Sequence, residues 1–130
     1  MRVLFFISAM IAFAPISGAG RAQQRDENAC LRLQPGISSP VEMAACTSDL
    51  RGSEQAVQNA VTKLRSRVPA DSRRLLDETQ RRWIQHRNAQ CRWEAGGAVG
   101  STTNRSDMVG CVSDMNRKRA AYLRDELKRW

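Results

Sequence analysis

The chain has 130 residues, enough for one domain, and its 21 Lys and Arg against 13 Asp and Glu give a formal charge of +8. Aromatic residues make up only 5% of it, so it lacks the series of stacking side chains that a single-stranded nucleic-acid surface uses. Nowhere does it hold the ~20 consecutive apolar residues of a membrane-spanning helix.

The N-terminus, MRVLFFISAMIAFA, has one basic residue, Arg2, and then a short apolar run; PISGAGRA follows, with small residues and cleavage points after Ala19 and Ala22. That order of regions is a secretory signal peptide. Residues 1–22 are therefore expected to be removed, and residues 23–130 to form the mature domain in the periplasm or outside a bacterial cell. Removal takes away Arg2 and Arg21 and no acid, so the charge falls from +8 to +6. A domain this small has a marginal core, and exported domains of that size commonly add disulfides.

Residues 23–29 read as a loose leader, and NACLRL as a single helical turn before Pro35-Gly36 breaks it. In SSPVEMAAC, Ser39 can cap a helix, Pro40 suits its first position, and Glu42 stands three after the cap. The helix is expected over 40–67, with Met43, Cys46, Leu50, Val57, Val61, Leu64 and Val68 inward and Gly52 weakening its middle. Val68-Pro69 stops it. A second long helix is expected from a cap at Asp71 or Ser72 to about Glu94, ended by Gly96-Gly97. Its stripe is Leu76, Gln80, Trp83, Arg87 and Cys91, with Ile84 beside it. AGGAVGSTTNRSD reads as a loop. The last helix should start at Ser106 or Asp107 and reach Lys128, with Met108, Cys111, Val112, Met115, Arg119, Tyr122 and Leu123 on its stripe. No period-2 strand is present. The expected fold is all-α, a small disulfide-stapled bundle of about three main helices plus a short N-terminal turn.

Cys30, Cys46, Cys91 and Cys111 are an even set in an exported chain, which reads as two disulfides. Three pairings are possible, and the sequence-adjacent one, Cys30–Cys46 with Cys91–Cys111, is favoured because each bond spans one turn or loop. The rival, a four-cysteine zinc site, lacks any CxxC spacing.

Catalytic groups are hard to find. His86 is the only histidine, and neither Asp77 nor Asn88 shares its helical face to orient it. Gly96, Gly97 and Gly100 are not followed by the Lys-Ser/Thr of a phosphate loop. The chain reads as non-enzymatic, without cofactor or metal. Trp83 is expected to bury apolar surface, with Gln80 and Arg87 satisfying polar groups at the core edge, such as helix-end carbonyls. Arg73, Arg74, Arg81, Arg82 and Arg92 cluster on one helix and Arg117, Lys118, Arg124, Lys128 and Arg129 on the other. They form either a solvated face or a surface for an anionic envelope partner.

LLDETQRRWIQHRNAQC resembles the signature of the lysozyme-inhibitor LprI-like N-terminal domain family, with Leu76, Gln80, Trp83, Arg87 and Cys91 at the family's spacing. Downstream, Cys111, Arg119 and Leu123 match a second element, and Glu42, Met43 and Cys46 match an upstream one. His86 replaces the usual aromatic, Asn88 the usual Asp, and SEQAVQNAV an "aDxxLNxxY"-like stretch. The resemblance implies a small, helical, disulfide-bonded envelope protein and, from one member, inhibition of a lysozyme-type muramidase. On that reading the loop from Ala95 to Asp107 is a candidate contact, with Ser101, Thr102, Thr103 and Asn104 as hydrogen-bonding groups and Arg105 as a cation for the muramidase's catalytic carboxylates.

Overall fold

The computed structural model of the chain describes residues 18–95 and 105–130, with 105–107 described by backbone alone. Of the segment expected to be a signal peptide, residues 1–17 lie outside the described residues. Four helices follow in order: α1 (Gly18–Leu33), α2 (Pro40–Arg67), α3 (Ala70–Glu94) and α4 (Arg105–Glu126), closed by a 3-10 turn (Leu127–Arg129). The fold is all-α and carries the two disulfides Cys30–Cys46 and Cys91–Cys111. With every cysteine bonded to another, a tetrathiolate zinc site has no ligands left.

The N-terminal segment differs from the expected loose leader and single turn. Residues 23–29 are helical, inside the sixteen-residue α1. No Gly or Pro interrupts residues 21–34, and side chains four apart bond along the helix, Gln23 to Glu27 and Gln24 to Asn28. Tertiary contacts then hold a helix too short to persist alone. Arg51 Nε donates to Asp26 at 2.7 Å, and fully buried Cys30 is bonded to α2.

Ser39 caps α2, its hydroxyl accepting from the Glu42 amide at 3.1 Å, with Pro40 at the first position. Gly52 does not break the helix. At the far end Val68 is extended, its amide donating to the Leu64 carbonyl. Pro69 then serves directly as the N-cap of α3, with no side-chain cap. Asp71 and Ser72, expected as caps, lie inside the first turn because only two residues separate the helices. α4 starts at Arg105, slightly before the expected cap.

α2 and α3 both pack on α4, and α1 packs on α2 and touches α4. Two apolar clusters result. One holds Val57, Ala60, Val61, Leu64, Val68, Ala120 and Leu123, with Leu76 and Trp83 against it. The other holds both disulfides with Leu50, Val109 and Val112, and with Met108 and Met115 against it. Along α2 and α4 the chain passes from the disulfide cluster to the aliphatic one, and along α3 it passes the other way. The three helices therefore run up, down and up.

Being central, α4 presents two faces rather than one stripe. Val109, Val112, Ser113, Asn116, Ala120 and Leu123 are buried. Of the residues expected with them, Met108, Cys111, Met115 and Arg119 are half-buried, and Tyr122 is 53% exposed. The expected stripe merged the buried face with the neighbouring face that meets α3.

Candidate functional site

Between the two clusters lies a polar level. Ser53 of α2, Arg87 of α3 and Asn116 of α4 occupy the positions where each helix crosses from one cluster to the other. Asn116 is fully buried, and its side-chain amide is used at both ends. Its Nδ2 donates to Ser53 Oγ at 3.0 Å, and its Oδ1 accepts from Arg87 Nη1 at 2.7 Å. Ser53 Oγ in turn donates to the Leu50 carbonyl at 3.0 Å. Arg87 spends its remaining reach on its helix neighbour: Nε and Nη2 both donate to Asn88 Oδ1, at 3.1 and 2.9 Å. The partners of Arg87 are thus side-chain amides, not the helix-end carbonyls expected from the sequence.

Outward from this level the α3–α4 seam is built of arginine and aromatic rings. Trp83 has Arg87 over its ring at 5.4 Å from the centroid and Arg119 at 5.4 Å. Arg119 also lies over Tyr122, at 5.3 Å. Gln80 Oε1 accepts from Arg119 Nε at 3.1 Å. Such cation–π contacts contribute about 0.5–1 kcal/mol each at exposed sites and more where water is excluded. They matter here because α3 fully buries only Cys91. Trp83 is half-buried, so this helix is held by stacking, amide bonds and a disulfide more than by aliphatic packing.

Neither seam arginine is neutralised. Burial lowers the pKa of Arg87, and the charge of Glu54 works against that shift. Burial also lowers that of Arg119, opposed by Tyr122. By contrast, many of the arginines and lysines expected to form a free basic surface have partners. Arg82 pairs with Glu78, Arg117 with Asp49, Lys118 with Asp114, Lys128 with Asp125 and Arg129 with Glu126. Arg73 and Arg92 donate to the backbone carbonyls of Val68 and Asn88. Arg65 forks onto Asp77 and, with a smaller contribution from Arg81, holds that carboxyl below its usual range.

Of the residues singled out from sequence, Leu76, Gln80, Trp83, Arg87, Arg119 and Leu123 are brought together along the α3–α4 seam and the aliphatic cluster. Cys91 and Cys111 tie the seam at its other end, with Cα atoms 5.6 Å apart. Ser101, Thr102, Thr103 and Asn104 lie outside the described residues, as does the side chain of Arg105. His86 is exposed on α3. The sequence reading missed Ser53 and Asn116. Their signal was present: Ser113 and Asn116 recur at helical spacing among Val109, Val112 and Ala120, which marks polar residues on a buried stripe.

Chemically the seam offers fixed guanidinium groups and aromatic faces, and no carboxylate–histidine or carboxylate pair suited to proton transfer lies within it. Comparison with curated proteins and with solved structures returns no significant match. A family model described as Lysozyme inhibitor LprI matches residues 21–123, which takes in α2 and α3 whole and most of α1 and α4. Gln80, Trp83, Arg87 and Arg119 of the seam are positions of the sequence signature, and the chain belongs to the LprI lysozyme-inhibitor family.

Proposed function

We propose that the protein is an exported, non-enzymatic inhibitor of a lysozyme-type muramidase. The family match over residues 21–123 carries this reading. The disulfides suit an oxidising compartment, and no helix among the described residues is long and apolar enough to cross a membrane. Export with cleavage after Ala22 would leave the part of α1 that holds Asp26 and Cys30. The seam supplies binding groups without an acid–base pair, as an inhibitor requires. Net charge does not favour a basic lysozyme as target, because a +6 inhibitor would meet repulsion. A less basic muramidase, including one of the cell's own, fits better. The test is titration of the oxidised mature domain into muramidases of differing charge. Stoichiometric inhibition at physiological salt is expected for at least one, and none at micromolar protein refutes the reading.

A second reading, binding to an anionic envelope polymer, draws on Arg74 and Arg81. They are exposed two turns apart on α3 and have no ion-pair partner among the described residues. Co-sedimentation with purified cell wall that falls steeply with salt, together with no muramidase inhibition, would favour it.

A further inference from the structure

We infer that Arg119 is a preorganised site for a single carboxylate, held by Gln80 and by contact with the Trp83 and Tyr122 rings, with its Nη edge free. The inference rests on the inhibitor reading for the source of that carboxylate, a catalytic acid in the muramidase cleft.

The geometry sets Arg119 apart from the other arginines. Arg51, Arg65, Arg82 and Arg117 each face a carboxylate. Arg87 spends Nε, Nη1 and Nη2 on Asn88 and Asn116. Arg119 spends only Nε, on Gln80. That bond restrains the rotation of the guanidinium, and its Cζ lies over the rings of Trp83 and Tyr122, 5.4 and 5.3 Å from their centroids. What remains is the edge formed by Nη1 and Nη2, four N–H donors in the fork that matches the two oxygens of a carboxylate. Ser113 Oγ is the sole buried side-chain polar atom without a partner among the described residues, so the free Nη groups of half-buried Arg119 reach solvent. Tyr122, whose ring Arg119 lies over, is 53% exposed, which leaves room for a partner.

Ordinarily an arginine loses much rotamer freedom when it grips a carboxylate. Here α3 and Tyr122 have already removed it. Partial burial weakens competition from water, and no carboxylate of the chain within ion-pair distance occupies the fork among the described residues. A short-range contact of this kind also suits an inhibitor whose net charge gives it no long-range attraction to a basic target.

The oxidised domain and its Arg119→Lys, Tyr122→Leu and Arg124→Lys variants, each checked by thermal melting, serve as the test. In the first arm, acetate is titrated against the Arg119 Nε–H resonance, with chloride at matched ionic strength as control. A saturable acetate-specific shift is expected. A response equal to that of chloride overturns the site. In the second arm, muramidase inhibition is measured. Arg119→Lys keeps the charge and loses the fork, so inhibition should weaken about 10–100-fold. Tyr122→Leu should weaken it less, and Arg124→Lys should leave it unchanged. If Arg119→Lys does not fold, Tyr122→Leu decides, and unaltered inhibition in it overturns the site as the muramidase contact. If the wild type inhibits and Arg119→Lys inhibits equally, the inhibitor reading stands and this inference falls. If the wild type inhibits nothing, the inhibitor reading falls and the acetate arm alone judges the site.

Discussion

Arg87 is a half-buried cation with only neutral amides for partners, and that makes Asn88→Asp an informative change. Asn88 Oδ1 accepts from Nε and Nη2 of Arg87, at 3.1 and 2.9 Å. Asp and Asn are nearly isosteric and have similar helix propensity, so the substitution adds a charge with little else. The new carboxylate would meet a guanidinium at hydrogen-bond distance where water is partly excluded. Unit charges ~4 Å apart attract by about 4 kcal/mol at an effective dielectric of ~20, but desolvating the carboxylate offsets most of that. The site is half-open, so a net gain of about 1 kcal/mol is the expectation. For a domain of this size that raises the melting temperature by about 4–8 °C. The sign with pH follows from linkage. The carboxylate's folded pKa is depressed below its unfolded value of about 3.9. The gain is therefore fully present above pH ~4 and is lost as pH falls through the folded pKa. Thermal melts of the oxidised protein at pH 7 and pH 2.5 measure it. An unchanged melting temperature at pH 7, or an equal gain at both pH values, refutes the account of Arg87 as a cation whose hydrogen-bond partners are all neutral.

Asn116→Ala removes the acceptor of a charged donor and one neutral hydrogen bond from a fully buried position, and should cost about 2–4 kcal/mol in urea titration; a loss under ~1 kcal/mol would mean the polar level does not hold the helices together. Gly52→Ala should stabilise α2 by about 1 kcal/mol, since a Cβ there meets nothing within 4 Å and the helix continues through it; a lower melting temperature would contradict this. Replacing Cys91 and Cys111 together by Ser should cost about 3 kcal/mol and, in hydrogen exchange, deprotect the C-terminal half of α3 first; uniform loss of protection along the chain would argue against a seam pinned by that bond.

The features legible in the sequence were those that local chemistry dictates. Ser39-Pro40 marked the start of α2, Val68-Pro69 its end, and the even cysteine count with pairing across single turns or loops pointed to the disulfide pairs that form. The inward residues of α2 followed from periodicity, because α2 meets α1 and α4 along one continuous side. The same rule merged two sides of α4. A central helix is touched from two directions, and a single stripe through Met108, Cys111, Arg119 and Tyr122 mixes them. α1 was underestimated because its own turn signals are weak and its order comes from Cys30 and Asp26 contacts distant in sequence. The site was half legible. Gln80, Trp83, Arg87 and Arg119 stood out as a pattern, but which polar group each would meet depended on the register of α3 against α4, which the periodicity of one helix does not encode.

That register links stability to function. Three of the restraints on Arg119 come from two helices: Gln80 and Trp83 from α3, Tyr122 from α4 itself. α3 fully buries only Cys91, so aliphatic packing alone would hold it weakly. Its C-terminal end is fixed to α4 by Cys91–Cys111, and its N-terminal end by the short Val68-Pro69 connection and the Arg65–Asp77 ion pair. Between those ends the arginine–aromatic seam sets the spacing. Arg119 lies eight residues beyond Cys111, about 12 Å along the helix, close enough for the disulfide to restrain it. Reduction would release the C-terminal end of α3 from α4 and loosen two restraints on the guanidinium while leaving its charge in place. On the proposed role of Arg119, the oxidised state would then shape the binding group as well as hold the fold, and an oxidising compartment is where that state persists.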